Sequence, residues 1–483
     1  MNTKISGNSI ILRRNSLEAL SAENLVFEAS SYGSWKLKEA GEGSLVTPVY
    51  ETERPFNDMV ASWNTETPAG TYAEVLGRVY VPGLGWSKWL SWGNWSTLIA
   101  RRCDYDEDDI AFANTFHNDG DSSINVKDGK SASAFQLKAV LHAKEGVEMP
   151  SIRLLAATWK NTNDPNWTQH CVYPENKIEE KQRVLLAVPP ISQKRRDPDY
   201  GGVICSAVTM NMMLNYFGEP VLPEEMSFMN YDHGFGGNGN WSFNTACAGA
   251  YGYESYCLYA DFAGVRQELS KGNPVGFSVK YSRNTDSDVP FLENSTTTTH
   301  GHLVCIIGYY FNEEIGEYVY YCNDPAGSYD LSVGPREHRE SQLSKAWYRR
   351  MIYVLHPPKL PGAGKHACRF VEAKLVPAGA FGAYDIITDE GPVVLDRDFL
   401  AKKREAFGGH GSIAWYSESE PTDIRDTRKR CAVNHNFHFE GIYISQDQKL
   451  VFEADWPAAR SAGGEKIHVY VFENSGTTYH MTL

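Results

Sequence analysis

From Thr71 to Val81 the chain alternates, with Ala73, Val75, Val79 and Val81 on one face and Glu74, Arg78 and Tyr80 on the other. A period of two is that of a strand with one buried side. Ser133 to Leu141 repeats the pattern through Phe135, Leu137, Ala139 and Leu141, and Ser151 to Trp159 reads as a third strand. Turns rich in Gly, Asn and Asp separate these runs, so residues 46–180 are expected to form an all-β sandwich. Before them, residues 1–45 read as a polar lead with one short strand near Ile10 to Leu12.

The texture changes over residues 181–358. Val184 to Val188 reads as a strand stopped by Pro189-Pro190. A helix is predicted from Cys205 to about Phe217, closed by Gly218 at C′ with Pro220 beyond. A short helix is expected from Ser242 and another over Ala263 to Lys271, ended by Gly272 and Pro274. Strand patterns follow at Val275–Tyr281, His302–Tyr310, Tyr318–Cys322 and Met351–Leu355. Helices first and an antiparallel sheet after define an α+β domain. Pro357-Pro358 and the Gly-rich stretch to Lys365 read as a linker. Residues 359–483 are expected to be a β-rich C-terminal domain, with strands at Leu450–Glu453 and His468–Phe472.

At 483 residues the chain exceeds one ordinary core, which agrees with several domains. Hydrophobic content of 42% is that of a folded protein, and the net charge of −14 argues against a nucleic-acid partner. The partners that remain are proteins, peptides and glycans. Nine cysteines without a C-x-x-C pair argue against a disulfide scaffold or a cysteine zinc site. The sequence offers no apolar run long enough to span a membrane and no signal-peptide pattern. A cytoplasmic location is the default expectation, with secretion also compatible.

A thiol at a helix N-terminus meets unpaired backbone N–H groups and the positive end of the helix dipole, and both favour the thiolate. Cys205 holds that position after Gly201-Gly202-Val203-Ile204. A buried, inert cysteine is the ordinary alternative, and position alone does not choose. His302 heads a buried strand in Thr299-His300-Gly301-His302-Leu303-Val304, where an imidazole is fixed well enough to exchange a proton with the thiol. Asp324 ends the next strand in Asn323-Asp324-Pro325-Ala326, within reach of that ring if the two strands pair antiparallel. Gln193 lies upstream with an amide able to join the Cys205 N–H in an oxyanion hole.

With Gln, Cys, His and Asp in that order, residues 181–358 resemble the bacteriocin-processing (double-glycine) peptidase-like branch of the papain-like cysteine peptidases. Cys205-Ser206 through Gly218, Gly239 to Thr245, Gly301 to Gly308 and Asn323 to Ala326 carry the resemblance. It implies an α+β papain-like domain with Cys205 as nucleophile, His302 as base and then acid, Asp324 as orienter and Gln193 in the oxyanion hole. Asn240, Trp241 and Gly301 are then expected beside the substrate, a peptide or a cell-wall peptide. The pattern departs at Ala207, where proline is common, and in a longer gap from Gln193 to Cys205. The upstream sandwich is similar to the β-domain that precedes such peptidases in some bacterial proteins, through Phe56, Trp63-Asn64 and Gly85-Trp86-Ser87.

No cofactor or metal is expected. Asp104, Asp106 and Asp108 alternate like calcium ligands but lack the glycine and the closing glutamate of such a loop. His435 and His438 lack a third ligand and read as strand surface. Trp86, Trp89, Trp92 and Trp95 recur every three residues, either as core or as an aromatic platform for sugar rings or peptide side chains. The alternative to a peptidase is a catalytically weak or inactive peptidase-like protein that binds glycan or protein. An acyltransferase using the same triad is the other rival.

Overall fold

A computed structural model describes residues 3–367, apart from 31, 69, 98–102, 104, 115–121, 172–180, 196–201, 220, 222, 233–236 and 329. Beyond residue 367 it describes the backbone of strands alone. Among the described residues the chain is mostly β.

The alternating runs become long central strands: Thr71–Val81, Ala132–Ala143 and Ser151–Lys160. Along Thr71–Val81 burial alternates without a break, with the apolar positions inward. Two eight-stranded sheets result. They pack face to face, with Phe135 of one against Trp159 of the other at 5.0 Å between ring centroids. The residues read as a polar lead are strands of this sandwich. Thr3–Ile5 pairs with Tyr50–Phe56, Ser9–Arg13 with Ser151–Lys160, and Gly41–Val46 with Ala132–Ala143. Their short, mixed sequences hide the pattern, because three- to six-residue strands give too few positions to display a period.

The following domain holds an antiparallel sheet in the order Glu254–Tyr259, Trp347–His356, Val275–Tyr281, Thr299–Asn312, Glu317–Asn323, Arg336–Arg339. The expected first strand shrinks to Val184–Leu185, laid against Tyr309 and Gly308. Gly308 permits that approach, since a Cβ there would meet the Val184 carbonyl oxygen at 2.2 Å. Helix Cys205–Tyr216 lies on the sheet, and Thr209 Oγ1 donates to the Leu303 carbonyl at 3.1 Å. Helices Trp241–Ala250 and Phe262–Ser270 form as expected, and Pro223–Asn230 adds one that the sequence pattern did not announce.

The sandwich and this domain share one hydrophobic core rather than meeting at a modest interface. Strand Glu254–Tyr259 is the edge of its sheet, and an edge strand leaves a row of backbone groups without a ladder. Sandwich side chains bond to that row. Asn64 accepts from the Ser255 N–H (3.1 Å) and donates to its carbonyl (2.8 Å). Ser62 Oγ takes the Cys257 N–H (2.8 Å), Thr158 Oγ1 takes the Tyr259 N–H (3.0 Å), and Asn8 donates to the Tyr259 carbonyl (2.8 Å). Gly249 leaves room for this, because a Cβ would lie 2.6 Å from the Asn64 side chain. Buried Asp58 accepts from Tyr259 Oη (2.7 Å) and sits 3.4 Å from Lys160 Nζ and 3.6 Å from Arg349.

The stretch read as a linker is docked: the Leu360 N–H donates to the Gly252 carbonyl, and the Gly364 N–H to Glu66 Oε1. Farther on, strands Arg369–Pro377, Tyr384–Thr388, Gly391–Leu395, Trp415–Ser417 and Ile467–Glu473 pair in one sheet. His438–Ile444, Leu450–Asp455 and Tyr479–His480 pair in another.

Candidate active site

Cys205 is the first residue of its helix and is partly exposed, whereas Ser206 to Leu214 are buried. His302 lies on the strand Thr299–Asn312, to which the helix is tied through Leu303. Antiparallel pairing of that strand with Glu317–Asn323 sets Cys305 opposite Asn323, and so brings Asp324 back beside the ring. His302 Nε2 and Asp324 Oδ1 are 2.8 Å apart, with both side chains almost fully buried. Nε2 being engaged by the carboxylate, Nδ1 is the ring nitrogen left to act on the thiol, and the charges of Cys205 and His302 favour one another.

The carboxylate is held on all sides. Oδ1 also accepts from the Ala326 N–H at 2.9 Å, and Oδ2 accepts from Thr296 Oγ1 at 2.8 Å and from the Tyr281 hydroxyl. Sequence reasoning missed Tyr281 and Thr296. The available signal was register: Tyr281 ends the neighbouring strand, two residues past Val279, which pairs with His302.

The electrostatics of the three groups interlock. Burial alone raises the Cys205 thiol, but the charge and hydrogen bond of His302 and the N–H groups of Leu303 and Ser206 outweigh it and lower its pKa. Burial lowers that of His302, yet Asp324 and Cys205 push it up to about 10. Burial raises that of Asp324, and His302, Tyr281 and the Ala326 N–H hold it well below the usual carboxylate range. Burial and then the Asp324 charge raise that of Tyr281, which stays a donor. Each charged group thus favours the charged form of its neighbour: the carboxylate supports the imidazolium, and the imidazolium supports a thiolate. In the core, burial pushes the Cys257 thiol up to about 12 and raises Cys305 and Cys322 as well.

Gln193 is buried at 2% exposure. Its backbone N–H donates to the carbonyl of Pro325, the neighbour of Asp324, and its Nε2 donates to the Gly202 carbonyl at 2.8 Å. It therefore braces the loop that leads into Cys205, with a second Nε2 hydrogen remaining. Gly301 is exposed beside His302.

Asn240 and Trp241 do not fit a substrate-facing role, being 0% and 2% exposed. Asn240 caps helix Trp241–Ala250 by accepting from the Phe243 N–H and donates to Asp232 at 2.9 Å. Trp241 lies in the core. The block around them faces the sandwich instead: Ser242 Oγ donates to the Ala61 carbonyl, and Phe243 meets Trp63 edge-on at 6.2 Å.

Of the alternating aspartates, Asp106 pairs with Lys88 at 2.5 Å. Asp108 caps a turn by accepting from the N–H groups of Lys88, Ile110 and Ala111. Asp104 and His435 lie outside the described residues, as do the side chains from residue 368 on, His438 included. Trp92 and Trp95 are core residues, while Trp86 and Trp89 are partly exposed.

Residues 185–351 match the Peptidase_C39 like family, and residues 26–159 match the Peptidase C39 N-terminal domain. The chain thus carries a domain of the C39-like peptidase family with that family's N-terminal domain upstream. No curated protein matches it. Among solved structures, it is similar at 12% identity to the C-terminal CBM6 of LamC, a marine laminarinase from Zobellia galactanivorans. That match covers 31% of this chain and 99% of the other, with a TM-score of 0.16. CsCBM6-3 from Clostridium stercorarium, in complex with cellobiose, matches at 9% identity over 34% of this chain and 98% of its own, with a TM-score of 0.17. Likenesses this slight carry no fold assignment. Among the described residues, no helix is long and apolar enough to cross a membrane.

Proposed function

We propose that this protein is a papain-like cysteine peptidase that hydrolyses an amide bond in a peptide, cell-wall peptides included, through Cys205, His302 and Asp324. The observation that carries the reading is a partly exposed cysteine at a helix start whose pKa is lowered by a buried imidazole, itself held by a carboxylate with four hydrogen bonds. A core cysteine needs none of this.

In the first step the Cys205 thiolate attacks the carbonyl carbon and the C–N bond breaks. His302 gives its Nδ1 proton to the leaving amine, and an acyl thioester remains on Cys205. Water then attacks the thioester while His302 takes its proton, the C–S bond breaks, and acid and thiolate are released. Asp324 keeps the ring in one orientation and stabilises its charged form. The Gln193 amide and the Cys205 N–H stabilise the oxyanion in both steps.

Incubation with a defined peptide mixture, followed by mass mapping, is expected to give cleaved peptides. Hydroxylamine added during turnover is expected to intercept the thioester as a hydroxamate. Cleavage undiminished in Cys205→Ala overturns the reading, and so does a wild-type chain that cleaves none of the peptides and acquires no acyl group. Transfer of the acyl group to added amines in preference to water would assign the same triad to acyl transfer.

A further inference from the structure

One row of residues crosses five strands on the outer face of the sandwich. Lys4 pairs in register with Glu51, Glu51 with Ala134, Ala134 with Tyr80, and Tyr80 with Trp86. Position 80 belongs to the outward set of the alternating strand, and its neighbours across the sheet share that face. Ala134 is the small residue in the middle, so the row is low at its centre and tall at both ends. The result is a groove of about 820 Å³ lined by Lys4, Glu51, Glu53, Tyr80, Trp86 and Ala134. No residue of the candidate active site lines it.

The aromatic end is pre-set. Tyr80 and Trp86 lie 5.5 Å apart. The Arg78 guanidinium sits 4.8 Å from the Trp86 ring and 4.7 Å from Trp89, and Arg78 Nε also donates to Gln136 Oε1 at 2.9 Å. Cation–π contacts and that hydrogen bond hold the rings without a ligand, which lowers the ordering cost of binding. The opposite wall offers an ammonium and two carboxylates.

We propose that this groove binds a neutral oligosaccharide, one sugar ring on Trp86 and its hydroxyls on Lys4, Glu51 and Glu53. An aromatic face suits the C–H side of a sugar ring, and mixed donors and acceptors suit hydroxyls. A peptide is the poorer fit. It gains affinity from backbone hydrogen bonds along a free strand edge, whereas this groove runs across the face of the sheet, with edge strands only at its two ends. The site of both charge signs disfavours a strongly anionic or cationic ligand.

The test uses the full chain and four probes: insoluble cellulose, insoluble β-1,3-glucan, chitin and peptide-free glycan strands. Retention on at least one is expected. Trp86→Ala and Tyr80→Ala are expected to weaken it about tenfold or more, with unchanged circular dichroism. Cys205→Ala is expected to leave it unaffected, so that failure of the catalytic reading and failure of this one remain separable. Lys4→Ala, at an exposed position where folding is not at stake, is expected to weaken it several-fold. Retention on none of the four probes overturns the proposal, as does retention undiminished by the Trp86, Tyr80 and Lys4 variants. Binding of a peptide panel through Trp86 without polysaccharide retention also overturns it.

Discussion

Two buried aspartates in this molecule each accept from a tyrosine hydroxyl and lie beside a basic side chain, but the basic side chains differ. Asp58, at the junction, accepts from the Tyr259 hydroxyl and lies beside Lys160 and Arg349. Asp324 accepts from the Tyr281 hydroxyl and lies beside His302. Lys160 is closed in, since its ammonium also donates to the Arg349 carbonyl at 2.8 Å and sits 3.9 Å over the Tyr259 ring. His302 instead passes the influence of its carboxylate on to the thiol of a partly exposed residue. Burial and a charged partner thus do not make a site. A partner able to change its charge, and a further group for it to act on, do.

The sharpest break between the two is kinetic. Cys205→Ala and His302→Ala are each expected to lower hydrolysis by about 10⁴–10⁶-fold, and the double variant to be hardly worse. Initial rates on a fluorogenic peptide check this, and additive losses would separate groups that the mechanism joins in one step. Asp324→Asn is expected to cost about 10³–10⁴-fold while leaving measurable turnover. Asp58→Asn under the same assay should leave kcat near wild type.

The converse effect belongs to stability. Asp58→Ala leaves two cations without their carboxylate and is expected to destabilise the fold by about 3–5 kcal/mol, read as a lower urea midpoint. An unchanged midpoint would place the Asp58 cluster outside the forces joining the domains.

Titration separates the pair more gently. An ordinary thiol near pKa 8.5 is only about 0.3% thiolate at pH 6. With its pKa lowered, Cys205 is expected to react with iodoacetamide at pH 6 well before Cys257, Cys305 and Cys322, as peptide mapping will report. Hydrolysis should rise as the thiol deprotonates and fall as His302 loses its proton, with the alkaline limb near pH 10. The smallest effect is that of Tyr281→Phe, which removes one donor from the Asp324 carboxylate, worth about 1.5–3 kcal/mol. Asp324 then attracts its proton more strongly and supports the imidazolium less, so the alkaline limb should move to lower pH. A limb that stays in place would detach Tyr281 from the titrating pair.

Legibility in the sequence followed the physics of each element. The strand Thr71–Val81 was plain because eleven residues display a period, whereas Thr3–Ile5 and Ser21–Glu23 are too short to display one. Cys205 and Asp324 were readable because each adjoins the end of an element that announces itself, and His302 because it precedes the apolar run of its strand, which begins three residues earlier than the pattern suggests. Tyr281 and Thr296 were not, since their partner is defined only by register and by a loop that returns to it. The misreading of Asn240 and Trp241 has the same root. A stretch that is distinctive for docking against Ala61 and Trp63 looks, in one sequence, no different from one that is distinctive for substrate.

The bonded edge strand has a consequence for the order of events during synthesis. Asn8, Ser62, Asn64 and Thr158 leave the ribosome before strand Glu254–Tyr259, and about a hundred residues separate Lys160 from Tyr259. At about 5–20 residues per second that interval is roughly 5–20 s, ample time for the sandwich to close first. The nascent edge then meets a finished template carrying the complementary side chains. A chain made without the first 160 residues would release that edge naked, where its nearest match is the same strand of another copy.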